Sequence, residues 1–248
     1  MKTRLITLLI AITTIIGSAY AQKKVNVYKN GTIVYSEYIT DIDSIKFEKQ
    51  TTPVDHEYVD LGLSVKWATC NVGATTPEGY GDYFAWGETS PKTKKYDWGT
   101  YKWCEGDIYT MTKYCIESKY GTVDNKTTLE LSDDAAHVNW GGAWRMPTIE
   151  ELKELRDTRN CTWTWTTQNG VKGYKVTSVV NGNSIFLPAA GYRAGGNLTN
   201  AGSGGYYWTS SLYTRENNYA YGLNFFSSSA AYGNDYRYLG QSVRAVCE

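Results

Sequence analysis

The sequence predicts an α+β protein in which one clear helix, at about 148–157, is followed by a run of short antiparallel strands. Two observations carry this. After Pro147, Thr148 and Glu151 stand at capping-box spacing, and Ile149, Leu152 and Leu155 form an apolar stripe three residues apart. Downstream, apolar and aromatic residues alternate with polar ones between Asn-Gly and glycine-rich turns. No tandem repeat at a fixed period is present.

From the N-terminus, Lys2 and Arg4 precede an apolar run from Leu5 to Ile16, and Gly17-Ser18-Ala19-Tyr20-Ala21 ends in an Ala-x-Ala pattern. Residues 1–21 read as a secretory signal peptide, too short and too clearly terminated for a membrane span. A buried N-terminal helix is the alternative. No cysteine follows the run to carry a lipid anchor. The expected product starts near Gln22 and is exported, to the periplasm, the cell surface or the medium. Residues 22–48 form a small β unit. Val25–Tyr28 and Thr32–Tyr35 flank Asn30-Gly31, a strong hairpin signal, and Ser44–Phe47 alternates as a third strand. Residues 49–56, with Thr51-Thr52-Pro53, read as a linker, and 57–248 as the main domain.

Within that domain Tyr58–Leu61 and Leu63–Trp67 are expected as short strands interrupted by Gly62. Residues 71–126 read as loop-rich. Ser132–His137 can start a short helix, since Ser or Asp caps free N–H groups. After the main helix, Thr162–Thr166, Gly173–Thr177 and Ser184–Leu187 are strands separated by the turns at Asn169-Gly170 and Asn181-Gly182. Tyr206–Ser211, Tyr219–Phe226 and Gln241–Cys247 complete the set.

Lysine plus arginine and aspartate plus glutamate are 25 each, and removing residues 1–21 leaves 23 basic against 25 acidic. A nearly neutral chain has no nucleic-acid footprint. Nine Trp and 22 Tyr against 5 Phe favour aromatic bodies with polar tips, suited to both a core and a contact surface. The cysteines are Cys70, Cys104, Cys115, Cys161 and Cys247, and none has Cys-x-x-Cys spacing. Cys104–Cys115 across a short loop, and Cys70–Cys247 if the first and last strands are neighbours, are the possible disulfides. Buried reduced thiols are the other reading.

The run Asn139–Leu152, containing Gly-Gly-x-Trp-Arg-Met-Pro-Thr-x-Glu-Glu-Leu, resembles the helix entry of the Fibrobacter succinogenes major paralogous domain family. Val65–Asn71, Gly81–Glu88, Tyr207–Ser211 and Ser242–Arg244 fit in the same order, so the resemblance covers roughly residues 57–248. It implies a C-type lectin-like fold, distantly related to formylglycine-generating enzymes, in which the first and last strands pair. Trp67, Trp86, Trp144 and Trp208 then fall to the core. Arg145 and Arg244 either bind an anionic ligand or hold backbone carbonyls or a carboxylate through their planar forks.

No catalytic constellation stands out, and a non-enzymatic protein without a cofactor is expected. Formylglycine-generating relatives need a reactive cysteine pair near the C-terminus, and only Cys247 lies there. His56 and His137, the two histidines, have no visible acid–base role. The Glu-Pro-Asn or Gln-Pro-Asp and Trp-Asn-Asp motifs of calcium-dependent lectins are missing. Asp133-Asp134, or Asp82 with Glu88, could offer oxygens to calcium, but solvated acids or caps is the commoner use. No metal ligand is assigned.

Residues 192–240 are rich in Tyr, Asn, Ser and Gly, the chemistry of antibody binding loops. The candidate ligand-binding residues are Tyr213, Arg215, Asn217, Asn218, Asn224, Tyr232, Asn234, Asp235, Tyr236 and Tyr238. On a strand over 220–226, Tyr221, Leu223 and Phe225 would face the core, leaving Gly222, Asn224 and Phe226 outward. This stretch also resembles the variable regions of lectin-like proteins diversified by retroelements that mutate adenines. The expectation is a binding protein for a glycan or protein at the cell exterior. A structural component of a surface assembly is the runner-up, and a degenerate enzyme the third reading.

Overall fold

A computed structural model of the chain describes residues 56–248 and, ahead of them, the strand backbones at 10–14, 23–29 and 32–39. The chain divides into two compact units, Met1–Thr51 and Thr52–Glu248.

In the first unit β1 (Ile10–Thr14), β2 (Lys23–Lys29) and β3 (Thr32–Ile39) form an antiparallel sheet in that order. Lys29 stands opposite Thr32, so two residues connect β2 to β3, the spacing expected around Asn30-Gly31. Part of the apolar N-terminal run, Ile10–Thr14, is a strand paired with β2. The strand expected at Ser44–Phe47 and most of the linker lie outside the described residues.

The second unit is built from small antiparallel sheets and two short helices. It opens with β4 (Tyr58–Val59) and β5 (Lys66–Asn71). The second expected strand starts late because Gly62 takes a left-handed φ of +70°, and Leu63 belongs to the bend. Residues 72–130 are loops with short turns of 3-10 helix at Trp98–Thr100 and Ser118–Tyr120. Another such turn, Leu131–Asp133, leads into α1 (Ala135–Trp140), whose first N–H groups are capped by Asp134. Next comes α2 (Ile149–Arg156). Its capping box is complete: Thr148 Oγ1 accepts from Glu151 N–H, and the Glu151 carboxylate accepts from Thr148 N–H.

The strands that follow are β6 (Cys161–Gln168), β7 (Val171–Ser178), β8 (Ser184–Pro188), β9 (Tyr192–Ala194), β10 (Asn197–Thr199), β11 (Gly204–Leu212), β12 (Tyr219–Phe226), β13 (Ser229–Tyr236) and β14 (Arg244–Cys247). They form the sheets β6-β7-β8, β9-β10 and β11-β12-β13, while β14 joins β5 and β4 in the order β14-β5-β4. The last strand thus pairs with β5, Trp67 opposite Val246, and the two-residue β4 that opens the domain lies on the far side of β5.

The main core gathers Leu152 and Leu155 from α2, Trp67, Val176, Ile185, Tyr207, Leu223, Phe225 and Val246. Burying each large apolar side chain contributes roughly 1.5–3 kcal/mol. Leu223 and Phe225 point inward as their parity requires. The ring of Phe225 lies where a side chain on Gly205, its cross-strand partner, would sit. A second cluster surrounds Trp86 and Trp208, whose indole N–H groups donate to the carbonyls of Thr209 and Phe84. Trp67, Trp86 and Trp208 are buried. Trp144 is only half-buried, packed edge-on to Trp140 at the rim, with His56 stacked on Trp140 at 3.8 Å.

Both motif arginines are occupied. Arg244 is fully buried and donates to Asn71 Oδ1 and to the carbonyls of Ala68, Thr69 and Phe186. Arg145 grips Glu151 with both terminal nitrogens at 2.9 and 2.6 Å. Burial works to raise the Glu151 carboxyl, but Arg145 and Thr148 outweigh it and hold it below its usual range. All five cysteines are free thiols. Lys66 stands opposite Cys247, which puts Cys70 four residues along β5, about 13 Å away and beyond disulfide reach. Cys104 Sγ turns to the carbonyl of Trp98, and Cys115 Sγ to that of Glu117, so that pair does not meet either.

Candidate functional site

Two loops far apart in sequence enclose a groove of about 400 Å³, lined by Ile108, Tyr109, Lys119, Tyr120, Glu216, Asn218, Tyr219 and Tyr236. One wall is the segment 108–120. Tyr109 is 62% exposed and lies parallel to the buried Tyr120, ring centres 6.3 Å apart. Lys119 covers the Tyr120 ring and is offset by Glu117 at 2.8 Å. The other wall is the turn into β12 and the end of β13. Tyr219 and Tyr236 face each other across the two strands and stack at 4.3 Å.

The walls are fixed by groups that never reach solvent. Asn217 Oδ1 accepts from Ile116 and Glu117 N–H at 2.7 and 3.0 Å, tying the second wall to the first. Arg237, wholly buried, stacks on Trp86 and donates to the carbonyls of Lys113, Tyr114 and Asn217 and to Tyr101 Oη. Its own N–H donates to the carbonyl of Asn218. These bonds hold the groove in shape before any ligand arrives, which reduces the ordering cost of binding.

Asn218 is 3% exposed, yet its Oδ1 has no hydrogen-bond partner. An acceptor left this way costs about 1–3 kcal/mol, and a ligand donor would recover it. Burial, reinforced by the hydrogen bond to Tyr236, pushes the Tyr219 phenol well above its ordinary range, so it stays neutral.

The residues expected from composition separate into distinct groups. Asn218 and Tyr236 line the groove. Tyr213 supports it from behind, edge-on to Tyr219. Tyr238 packs on Trp98 at 4.8 Å beside Tyr236. Arg215 is exposed on the adjoining turn, and Asn234 is half-buried opposite Tyr221. Tyr232 lies elsewhere, on a second groove beside α2. Asn217 is internal scaffolding. Asn224 is half-buried rather than open to solvent, on the face of the sheet where Gln241 meets Asp235. Gln241 Nε2 and Asn224 both hydrogen-bond the Asp235 carboxylate, and burial raises Asp235 despite them. Tyr219 belongs to the tyrosine-rich stretch singled out in the sequence, whereas Tyr109 and Tyr120 are wall residues that the sequence does not assign to the site. Their one signal was tyrosine density in a stretch about 100 residues upstream, which nothing in the sequence tied to the C-terminal patch.

Three of the four acids weighed as calcium donors, Glu88, Asp133 and Asp134, are engaged within the fold. Asp134 accepts from His137 and Met146 N–H, Asp133 from Lys113 and Tyr114, and Glu88 from Lys92. Among the described residues no three His, Cys, Asp or Glu side chains are grouped to hold a metal ion. Nor is any helix among them long and apolar enough to cross a membrane.

A family model described as "Domain of unknown function (DUF8237)" matches residues 151–246, from α2 to β14. No curated protein matches the chain. No solved structure matches it either.

Proposed function

We propose that this chain is an exported, non-enzymatic binding protein of C-type lectin-like fold, and that its tyrosine groove takes a saccharide at the cell exterior. The observation that carries the reading is the groove itself. It has aromatic rings on both walls, and its lining includes Asn218, whose buried Oδ1 has no hydrogen-bond partner. The C–H faces of a sugar ring pack on tyrosine rings, while its hydroxyl groups supply the donor that Asn218 lacks. The rim carries the Lys119–Glu117 ion pair and the Glu216 carboxylate, so the groove presents no excess positive charge and favours a ligand without anionic groups.

The pairing of β5 with β14 and the capped helix after Pro147 support the lectin-like reading and the resemblance to the Fibrobacter succinogenes paralogous family. Binding here would use no calcium motif, unlike the usual lectin mechanism. Retroelement diversification would extend the proposal. An adenine-rich near-copy of the 3′ end beside a reverse-transcriptase gene would support it, and a genome lacking both would remove it.

The test is a glycan array probed with the folded chain, repeated with Tyr109→Ala and Tyr236→Ala. Retention of a defined set of glycans, lost in both variants, is expected. Retention by neither parent nor variants, or equal retention by all three, would overturn the assignment.

A further inference from the structure

The sheet β11-β12-β13 ends in an open edge. Tyr213 N–H donates to the carbonyl of Tyr219, so Tyr219 turns its backbone groups toward β11. Opposite it Tyr236, and by alternation Asn234, Tyr232 and Ala230, must turn theirs away from β12. No backbone partner is recorded for the N–H or carbonyl groups of Ala230, Tyr232 and Asn234 on that side among the described residues. Edge strands are normally blunted by Lys, Pro, a bulge or a short length. β13 has none of these: it runs eight residues, Ser-Ala-Ala-Tyr-Gly-Asn-Asp-Tyr, in unbroken register with β12.

Beside this edge lies an open groove of about 630 Å³ between α2 and β13. On its helix side Lys153 is offset by Glu150. Arg156 has no ion pair among the described residues. Its guanidinium lies 4.8 Å over the Trp163 ring, and its buried Nε lacks an acceptor. On the strand side Tyr232 is 53% exposed. An unpaired backbone edge next to an unpaired guanidinium is the geometry of strand addition with a charged anchor.

We propose that β13 docks an extended, carboxylate-bearing peptide segment of a partner protein, which adds as a fourth strand and sets its acid on Arg156. The edge shares β13 with the tyrosine groove, whose wall holds Tyr236, but Tyr232 and Arg156 do not line that groove, so Arg156→Gln separates failure of this site from failure of the other.

The probe is a random twelve-residue peptide library displayed on phage and selected against the folded chain, followed by synthesis of the enriched peptides. Acidic, extended sequences are expected. Their binding should slow amide hydrogen exchange at Ala230, Tyr232 and Asn234, and Arg156→Gln should weaken it at least tenfold. Tyr232→Pro removes an outward N–H while leaving the bonds to β12, and should abolish binding. Peptides N-methylated at alternate residues test the same bonds without altering the chain, and one of the two methylation registers should fail to bind. No enrichment would overturn the proposal. So would enriched peptides without acids, unchanged exchange at the three amides, or binding in both methylation registers. Equal displacement of the peptides by heparin would mark a simple anion site and also overturn strand addition.

Discussion

Asn217 and Asn218 are adjacent, equally polar and equally buried, yet they do opposite things. Asn217 spends its side-chain oxygen on two backbone N–H groups of a loop 100 residues away, whereas the same oxygen of Asn218 is unspent beside the groove. The same split separates the arginines. Arg237 and Arg244 are saturated by carbonyls inside the fold, and Arg156 stands over Trp163 with no acid. Polar composition marks where a surface could be. Hydrogen bonding separates the Asn217 oxygen, which ties the two walls, from the Asn218 oxygen, and an unpaired atom bears on binding only where its residue also lines a groove, since the Asn217 side-chain nitrogen is unpaired too.

Substitutions can break or sharpen this division. The largest effect is expected from Arg237→Met, which orphans the carbonyls of Lys113, Tyr114 and Asn217 inside the core and should cost about 3–5 kcal/mol in chemical denaturation. Asn217→Ala should cost about 2–3 kcal/mol and also weaken ligand binding, since it releases one wall from the other. Asn218→Ala should do the reverse. Its stability loss should stay under about 1 kcal/mol, because the lost acceptor was unpaired, while affinity falls roughly tenfold, or about 1.4 kcal/mol. Equal effects for the two asparagines would erase the distinction.

A smaller effect is tied to pH. The folded Asp235 carboxyl titrates above its ordinary 3.8 because burial disfavours its charge, against hydrogen bonds from Gln241 and Asn224. Its contribution to stability is therefore fully present below pH 3.8 and is lost as pH rises through the folded value. Asp235→Asn should gain on the parent as pH rises through that range, by about 1 kcal/mol or less, read from urea midpoints at pH 3.5 and 7. Smallest of all, Tyr232→Ala should leave stability within about 0.5 kcal/mol, since the ring is largely in solvent.

What was legible in the sequence follows from where local rules decide. The helix after Pro147 was readable because its cap and stripe lie within eight residues. The hairpins at Asn169-Gly170 and Asn181-Gly182 announced themselves by turn chemistry. β13 was not readable as a strand: Ser229, Ala230, Ala231, Gly233 and Asn234 have little strand propensity, and their pairing with β12 decides the matter. Not every residue expected in the C-terminal patch is open to contact. Asn224 and Asp235 follow outward parity, yet both are half-buried, on the face where Gln241, from another segment, meets Asp235. The opposing wall at Tyr109 and Tyr120 was beyond reach, since only tertiary contact brings it to Tyr219 and Tyr236.

A saccharide in the tyrosine groove must touch Asn218 and the tyrosines around it together. The direct measurement is amide and side-chain chemical-shift mapping of the chain titrated with a saccharide retained on the array. The largest shifts are expected to fall together on the Asn218 side-chain amide, Tyr109, Tyr219 and Tyr236. Shifts confined to other surfaces, or an Asn218 amide unmoved at saturation, would contradict that site.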